Sequence, residues 1–287
     1  MTHIHVERIG GVGVITIDRP ERFNSLDVTT AQDLRRAGLQ CARDAQLRAV
    51  VLRGRPGVFC SGADLKFIRD GGDAQALGYL TAGAPRAGYG DSFKQILEYI
   101  HSTISEIRRA PKPFIAAVDG IAAAGGFGLA MSCDLVVASS RATFEWAYGK
   151  TALTGAESTT FLLPRLIGFR RCMELVLLNP RLTALQALDY GLITSVHEPA
   201  AFDAEVMALA QRIAEGPSHA FATAKELLNQ SAGFDRLDGH LDRELQELAR
   251  AADGPEVQEG IAAFFDKRPP VFEERAEGEG LVAGAKG

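Results

Sequence analysis

Cysteine is scarce in this chain of 287 residues: there are four, and none stands in a CxxC pair. Cys41, Cys60, Cys133 and Cys172 are too dispersed for a zinc or redox motif, and they read as buried free thiols of a cytoplasmic protein. Long apolar runs are missing as well. The longest uncharged stretch, between Asp119 and Asp134, is short and glycine-rich, whereas a membrane span takes roughly 20 residues. Met1 to Glu7 contain no basic region leading into an apolar one, so no signal peptide is expected. Basic clusters are absent, and the net charge of −5 weighs against nucleic acid as a partner. Nor is there a GxGxxG fingerprint, a GK[ST] phosphate loop or a GxSxG nucleophile turn. His3 and His5 lie near the start, and His197, His219 and His240 are scattered without ligand spacing, so no metal site is expected.

What the chain does have is core: 46% of its residues are hydrophobic and 23% charged, the balance of an ordinary globular protein. Val12–Asp18 alternates apolar and polar positions and ends at Arg19-Pro20, a strand. Leu26–Ala45 has helical periodicity, with Asp27 or Thr29 as N-cap. Ala49–Leu52, Phe114–Val118 and Leu135–Ala138 read as short buried strands, and Phe93–Arg108 as an amphipathic helix that carries His101. Between them, Arg69–Asp91 is rich in Gly and Ala and reads as a mobile loop or loose helix. From Leu162 on, helices dominate: Arg170–Leu178, Thr183–Tyr190, Ala201–Glu215, Pro217–Gln230 and Leu237–Ala251. The polar, glycine-rich tail 273–287 reads as disordered.

Two glycine turns carry the chemistry. In Ala117–Ala130 a buried strand runs into Gly125-Gly126 and then into a helix without Pro or charge. Bare backbone at such a turn can approach a ligand and aim N–H groups at a negative oxygen. Phe59-Cys60-Ser61-Gly62-Ala63-Asp64-Leu65 repeats the pattern after the Ala49–Leu52 strand. The N–H groups of Ala63 and Gly125 are therefore candidates to converge on one carbonyl oxygen that gains charge. Two ordinary strand-to-helix turns are the alternative.

Taken together, Asp18–Leu26, Phe59–Leu65, Ala117–Asp134, Leu162–Gly168 and Ala263–Pro269 resemble, in order and spacing, the crotonase superfamily, also called the enoyl-CoA hydratase/isomerase family. The resemblance runs from about Val6 to Phe272. It implies an α/β fold, a spiral of ββα units over residues 1–200, with a C-terminal helical trimerisation region over 201–272. It further implies an acyl-CoA thioester as substrate, no cofactor beyond the coenzyme A of that substrate, and a homotrimer or dimer of trimers. Ala63 and Gly125 would hold the thioester oxygen. Arg22, Phe23, Ser61, Asp64, Leu65 and Lys66 would lie along the coenzyme A, with Phe264 and Lys267 reaching the coenzyme A of a neighbouring subunit. For the charged members a solvated surface role is the alternative.

The acid/base residues depart from the family's hydratases. Those enzymes position water and shuttle a proton with two glutamates. The first position falls on Gly128 and the second, counted back from Leu163-Pro164-Arg165, on Tyr148. Glycine carries no proton, and a tyrosine with a pKa near 10 is a poor base at neutral pH. Glu157 lies one residue beyond Ala156, where other family members carry a carboxylate. In an apolar pocket it would be a proton shuttle of raised pKa; on a surface it would be a helix cap. Tyr148 is left between hydrogen-bonding the substrate and packing. Three functions stay open: double-bond shift or hydration, hydrolysis or decarboxylation of a specialised CoA ester, and acyl-CoA binding without turnover.

Overall fold

After an opening hairpin, short strands laid down in pairs whose two members go to different sheets organise this chain. The computed structural model describes residues 3–55, 57–72 and 88–272; the tail 273–287 and most of the Arg69–Asp91 stretch lie outside the described residues. An antiparallel hairpin of β1 (Ile4–Ile9) and β2 (Val12–Ile17) comes first, followed by α1 (Val28–Arg43). Next come β3 (Ala49–Gly54), β4 (Val58–Cys60) and α2 (Leu65–Arg69), then α3 (Tyr89–Arg109). The following pair is β5 (Phe114–Val118) and β6 (Ile121–Ala123), with α4 (Gly125–Met131) behind it. β7 (Leu135–Ser139) and β8 (Thr143–Glu145) form the last pair. One sheet collects β1, β2, β3, β5 and β7 in that order, with β10 (Ser195–His197) at its far edge; the other collects β4, β6 and β8, with β9 (Leu182–Thr183) at its edge. After the β1–β2 hairpin, each successive strand pair thus advances both sheets by one parallel strand, which is the expected spiral.

Period-2 alternation explains why the larger sheet is buried on both faces. Ile15, Ile17, Val50, Leu52, Phe114 and Ala116 face the main core under α1 and α3. Val12, Val14, Ala49, Val51, Ile115 and Ala117 face the other way, onto Phe202, Val206, Ala210 and Ala214 of a helix further along. Apart from β9 and β10, the elements beyond β8 among the described residues are helices: α5 (Thr159–Leu166), α6 (Gly168–Leu178), α7 (Ala184–Tyr190), α8 (Pro199–Glu215), α9 (Ser218–Ser231), α10 (Leu237–Ala252) and α11 (Pro255–Asp266). Among the described residues no helix is long and apolar enough to cross a membrane. All four cysteines are buried and unpaired.

Asp27, not Thr29, caps α1: its carboxylate accepts from the Thr30 N–H at 2.8 Å. α3 starts four residues before the expected Phe93, because the Gly90 N–H donates to Asp253, remote in sequence, at 2.8 Å. Strands β4, β6 and β8 are three residues each, too short to show a period, and α11 is a helix beyond those expected from the sequence.

Candidate active site

The two glycine turns meet. Gly62 has φ near +93°, and a Cβ there would lie 2.9 Å from the Gly125 nitrogen, so only glycine lets the β4–α2 and β6–α4 turns come this close. Leu26 pairs with the first turn, donating its N–H to the Gly62 carbonyl at 2.8 Å and accepting from the Asp64 N–H at 2.9 Å. The Ala63 N–H between them reaches no acceptor among the described residues, and neither does the Gly125 N–H at the start of α4.

Both turns open into a cavity of about 410 Å³. Its lining includes Ala63, Gly125, Tyr148 and Glu157, and also Arg22, Phe23, Ser61, Asp64, Leu65, Lys66 and Phe264. Phe264 is thus on the cavity of its own chain, whereas Lys267 is exposed and outside the lining.

Among the described residues four carboxylates border this cavity, and their surroundings set them apart. Glu21 is exposed. Asp64 is buried and accepts from Arg19 at 2.9 Å, from Arg22 at 2.5 Å and from the Lys66 and Phe67 N–H groups that begin α2. Burial pushes its pKa up, but Arg22, the backbone donor and Arg19 outweigh that and hold it below the usual range. Glu145, also buried, pairs with Arg181 at 3.0 Å and with Lys150. Glu157 is different. It is 3% exposed, and its carboxylate accepts from the Tyr148 hydroxyl instead of a cation. Burial pushes its pKa up to about 8, the Tyr148 bond pulling it down and the charge of Glu244 adding to the rise. Burial, then the Glu157 charge and hydrogen bond, hold the Tyr148 pKa well above its usual value, so Tyr148 stays a neutral donor.

Glu157 also lies against the second turn: a Cβ on Gly125 would be 2.7 Å from its Oε1. At Gly128 a Cβ would lie 2.7 Å from the Glu157 carbonyl oxygen and 2.6 Å from its Cβ. The space a side chain at Gly128 would need, where the resemblance puts the hydratases' first glutamate, is therefore filled by the segment that carries Glu157.

Three contributors were missed or left aside in the sequence. Arg19 holds Asp64 and Asp27. His101 accepts the Glu157 N–H on Nε2 at 3.2 Å, and burial lowers its pKa to about 4, leaving it neutral at neutral pH. Glu244, buried on α10, accepts from the Ser158 N–H at 2.8 Å and the Thr160 N–H at 2.9 Å. A signal for it existed. Glu244 continues the apolar stripe Leu237, Leu241, Leu248 at helical spacing, and a carboxylate there needs buried donors.

A spiral of paired strands that brings two turns and a buried carboxylate to one cavity defines an α/β enzyme of the crotonase class. Comparison with known proteins agrees: the enoyl-CoA hydratase/isomerase family model matches residues 7–275. The 1,2-epoxyphenylacetyl-CoA isomerase of Escherichia coli is 34% identical over 273 residues, covering 93% of this chain and 96% of that protein. The 4-chlorobenzoyl coenzyme A dehalogenase-2 of an Arthrobacter species is 30% identical over 265 residues, covering 92% and 91%. Among solved structures, an enoyl-CoA hydratase from Mycobacterium avium subsp. paratuberculosis superposes with a TM-score of 0.82 at 30% identity, covering 95% of this chain and 99% of that one. The chain belongs to the enoyl-CoA hydratase/isomerase family, among whose members are enzymes named for acyl-CoA substrates.

Proposed function

We propose that this enzyme shifts a double bond in an acyl-CoA thioester by proton transfer through Glu157, in preference to adding water. One observation carries the reading: among the cavity carboxylates of the described residues, Glu157 alone is buried without a cation, which raises its proton affinity until it can both take and return a proton near neutral pH. The thioester oxygen would sit on the Ala63 and Gly125 N–H groups, where two donors aimed at a developing enolate supply several kcal/mol. Glu157 takes a proton from Cα of a 3-enoyl thioester, and the electron pair moves to the thioester oxygen. The Glu157 carboxyl, whose proton can exchange with solvent, then delivers a proton at Cγ, leaving the 2-enoyl product. A base whose pKa is about 8 matches this weak carbon acid better than an ordinary carboxylate. Hydration would need a second group to hold water, and the two hydratase positions are Gly128 and Tyr148.

Arg22, Phe23, Ser61, Leu65, Lys66 and Phe264 line the path for the coenzyme A, while Asp64 fixes Arg22; no further cofactor or metal enters this reading. Exposed Phe169, Leu177, Leu178 and Leu185 on α6 and α7 support association between copies, which the family resemblance makes a homotrimer or dimer of trimers, and unpaired buried cysteines favour the cytoplasm.

Incubation with 3-hexenoyl-CoA, read by enoyl absorbance and by deuterium uptake at carbon in D₂O, tests the reading. The wild type should form the 2-enoyl product, and Glu157→Gln should lose roughly 10²- to 10⁴-fold in rate with thioester affinity retained. Hydration of crotonyl-CoA at an enzymatic rate, release of free coenzyme A, or binding without any exchange would each overturn it in favour of a hydratase, a hydrolase or a binding protein.

A further inference from the structure

The segment bearing Glu157 does not hold itself in place. Glu157 and Ser158 are consecutive non-glycine residues with φ of 51° and 62°, a left-handed pair that surrounding structure must stabilise. No side chain within α5 caps its start: Ser158 is the N-cap residue but makes no capping bond. The orphan N–H groups of Ser158 and Thr160 are instead taken by the two oxygens of Glu244, which also accepts from the Thr160 hydroxyl. His240, one turn earlier on α10, bonds that hydroxyl at 2.7 Å.

We infer that Glu244, from the C-terminal helix α10, is a positioning residue that fixes the Glu157 carboxylate against the Gly125 turn. The inference rests on reading Glu157 as the proton carrier. A charged carboxylate that accepts two backbone N–H groups is among the stronger buried interactions, and it acts on the residue next to Glu157. Misplacement of a reacting group by about 1 Å costs as much as 100-fold in rate, so this clamp has leverage on the reaction without touching substrate. It also makes α10 part of the active site's support. The groups facing the Glu157 carboxylate from neighbouring elements are Tyr148, Cys60 of β4, His101 of α3, and Glu244 of α10, with His240 and Asp242 behind them. Removal of the Glu244 charge should therefore move the pH dependence of proton transfer as well as its rate.

The test compares wild type, Glu244→Ala, Glu244→Gln and, as a control on the exposed face of α10, Glu247→Ala. Three quantities are measured: amide hydrogen exchange of residues 157–160, affinity for butyryl-CoA, and the pH profile of α-proton exchange of that thioester in D₂O. Glu244→Ala should speed the amide exchange and slow α-proton exchange about 10- to 100-fold, with affinity within about threefold. Glu244→Gln, which retains one acceptor oxygen and no charge, should recover part of the rate with its midpoint at lower pH; it also serves if the alanine variant does not fold. Glu247→Ala should match the wild type. Wild-type amide protection and an unshifted profile in both Glu244 variants would overturn the inference. If the wild type itself exchanges no α-proton, the proposed function fails. The amide exchange then still decides whether Glu244 holds the segment.

Discussion

Glu157 and Tyr148 form a hydrogen-bonded pair whose proton affinities are set first by burial. The tyrosine donates and the carboxylate accepts, and this bond is the main influence lowering the Glu157 pKa against burial. Tyr148→Phe should therefore raise the Glu157 pKa further and move the midpoint of proton transfer above the wild-type value near 8, with a lower rate at pH 7. Glu244→Gln shifts the same midpoint the opposite way, so the two profiles measured side by side separate the hydrogen bond from the charge. Arg22 teaches a related lesson. Its guanidinium is held by Asp64, whose carboxylate also caps α2 and accepts from Arg19. The sequence placed both Arg22 and Asp64 along the coenzyme A, and their mutual pairing came only with the fold.

At the scale of elements, the packing of the 157–159 segment onto α4 decides which residues are allowed. The Glu157 carbonyl oxygen occupies the space a Cβ on Gly128 would need, and backbone cannot swing aside as a flexible side chain can. Gly128→Ala should cost about 1–3 kcal/mol of stability by overpacking and displace Glu157 from the cavity. Urea unfolding together with the enoyl-CoA assay checks both effects; an alanine variant of unchanged stability and rate would count against this packing. From sequence, Gly128 read simply as a missing glutamate. It is also the condition for a carboxylate arriving from another segment. The longer helices and the buried strands were legible because their apolar period extends over enough residues. β4, β6 and β8 were not, since three residues carry no period and are defined by their neighbours in the sheet.

The whole molecule feels its buried carboxyl through pH. The folded protein keeps the Glu157 proton up to about pH 8, whereas the unfolded chain releases it around 4.5. Between these values the folded state binds more protons, so this group's contribution to stability falls as pH rises through the window. Glu157→Gln abolishes that contribution. The stability of the variant minus that of the wild type should grow from pH 4.5 to 8 and level off outside it. Chemical denaturation across that range measures it, and a pH-independent difference would mean that Glu157 ionises normally. Taking the difference also removes His101, whose burial disfavours protonation and so weakens the fold as pH falls from 6.5 toward 4.

What the sequence by itself determined were the features encoded by neighbours along the chain. These are the period of the long helices and buried strands, the two small-residue turns at Ala63 and Gly125, and the ordered motifs that mark an acyl-CoA enzyme. The tertiary structure alone decided the partnerships between remote residues: Tyr148 with Glu157, Glu157 with Gly128, and the α5 start with Glu244, 86 residues beyond Ser158. The physical reason is that a carboxylate's proton affinity depends on which groups exclude water from it and which donors reach it. Those groups are assembled by the interleaved sheets and the returning C-terminal helix, not by adjacency in the chain.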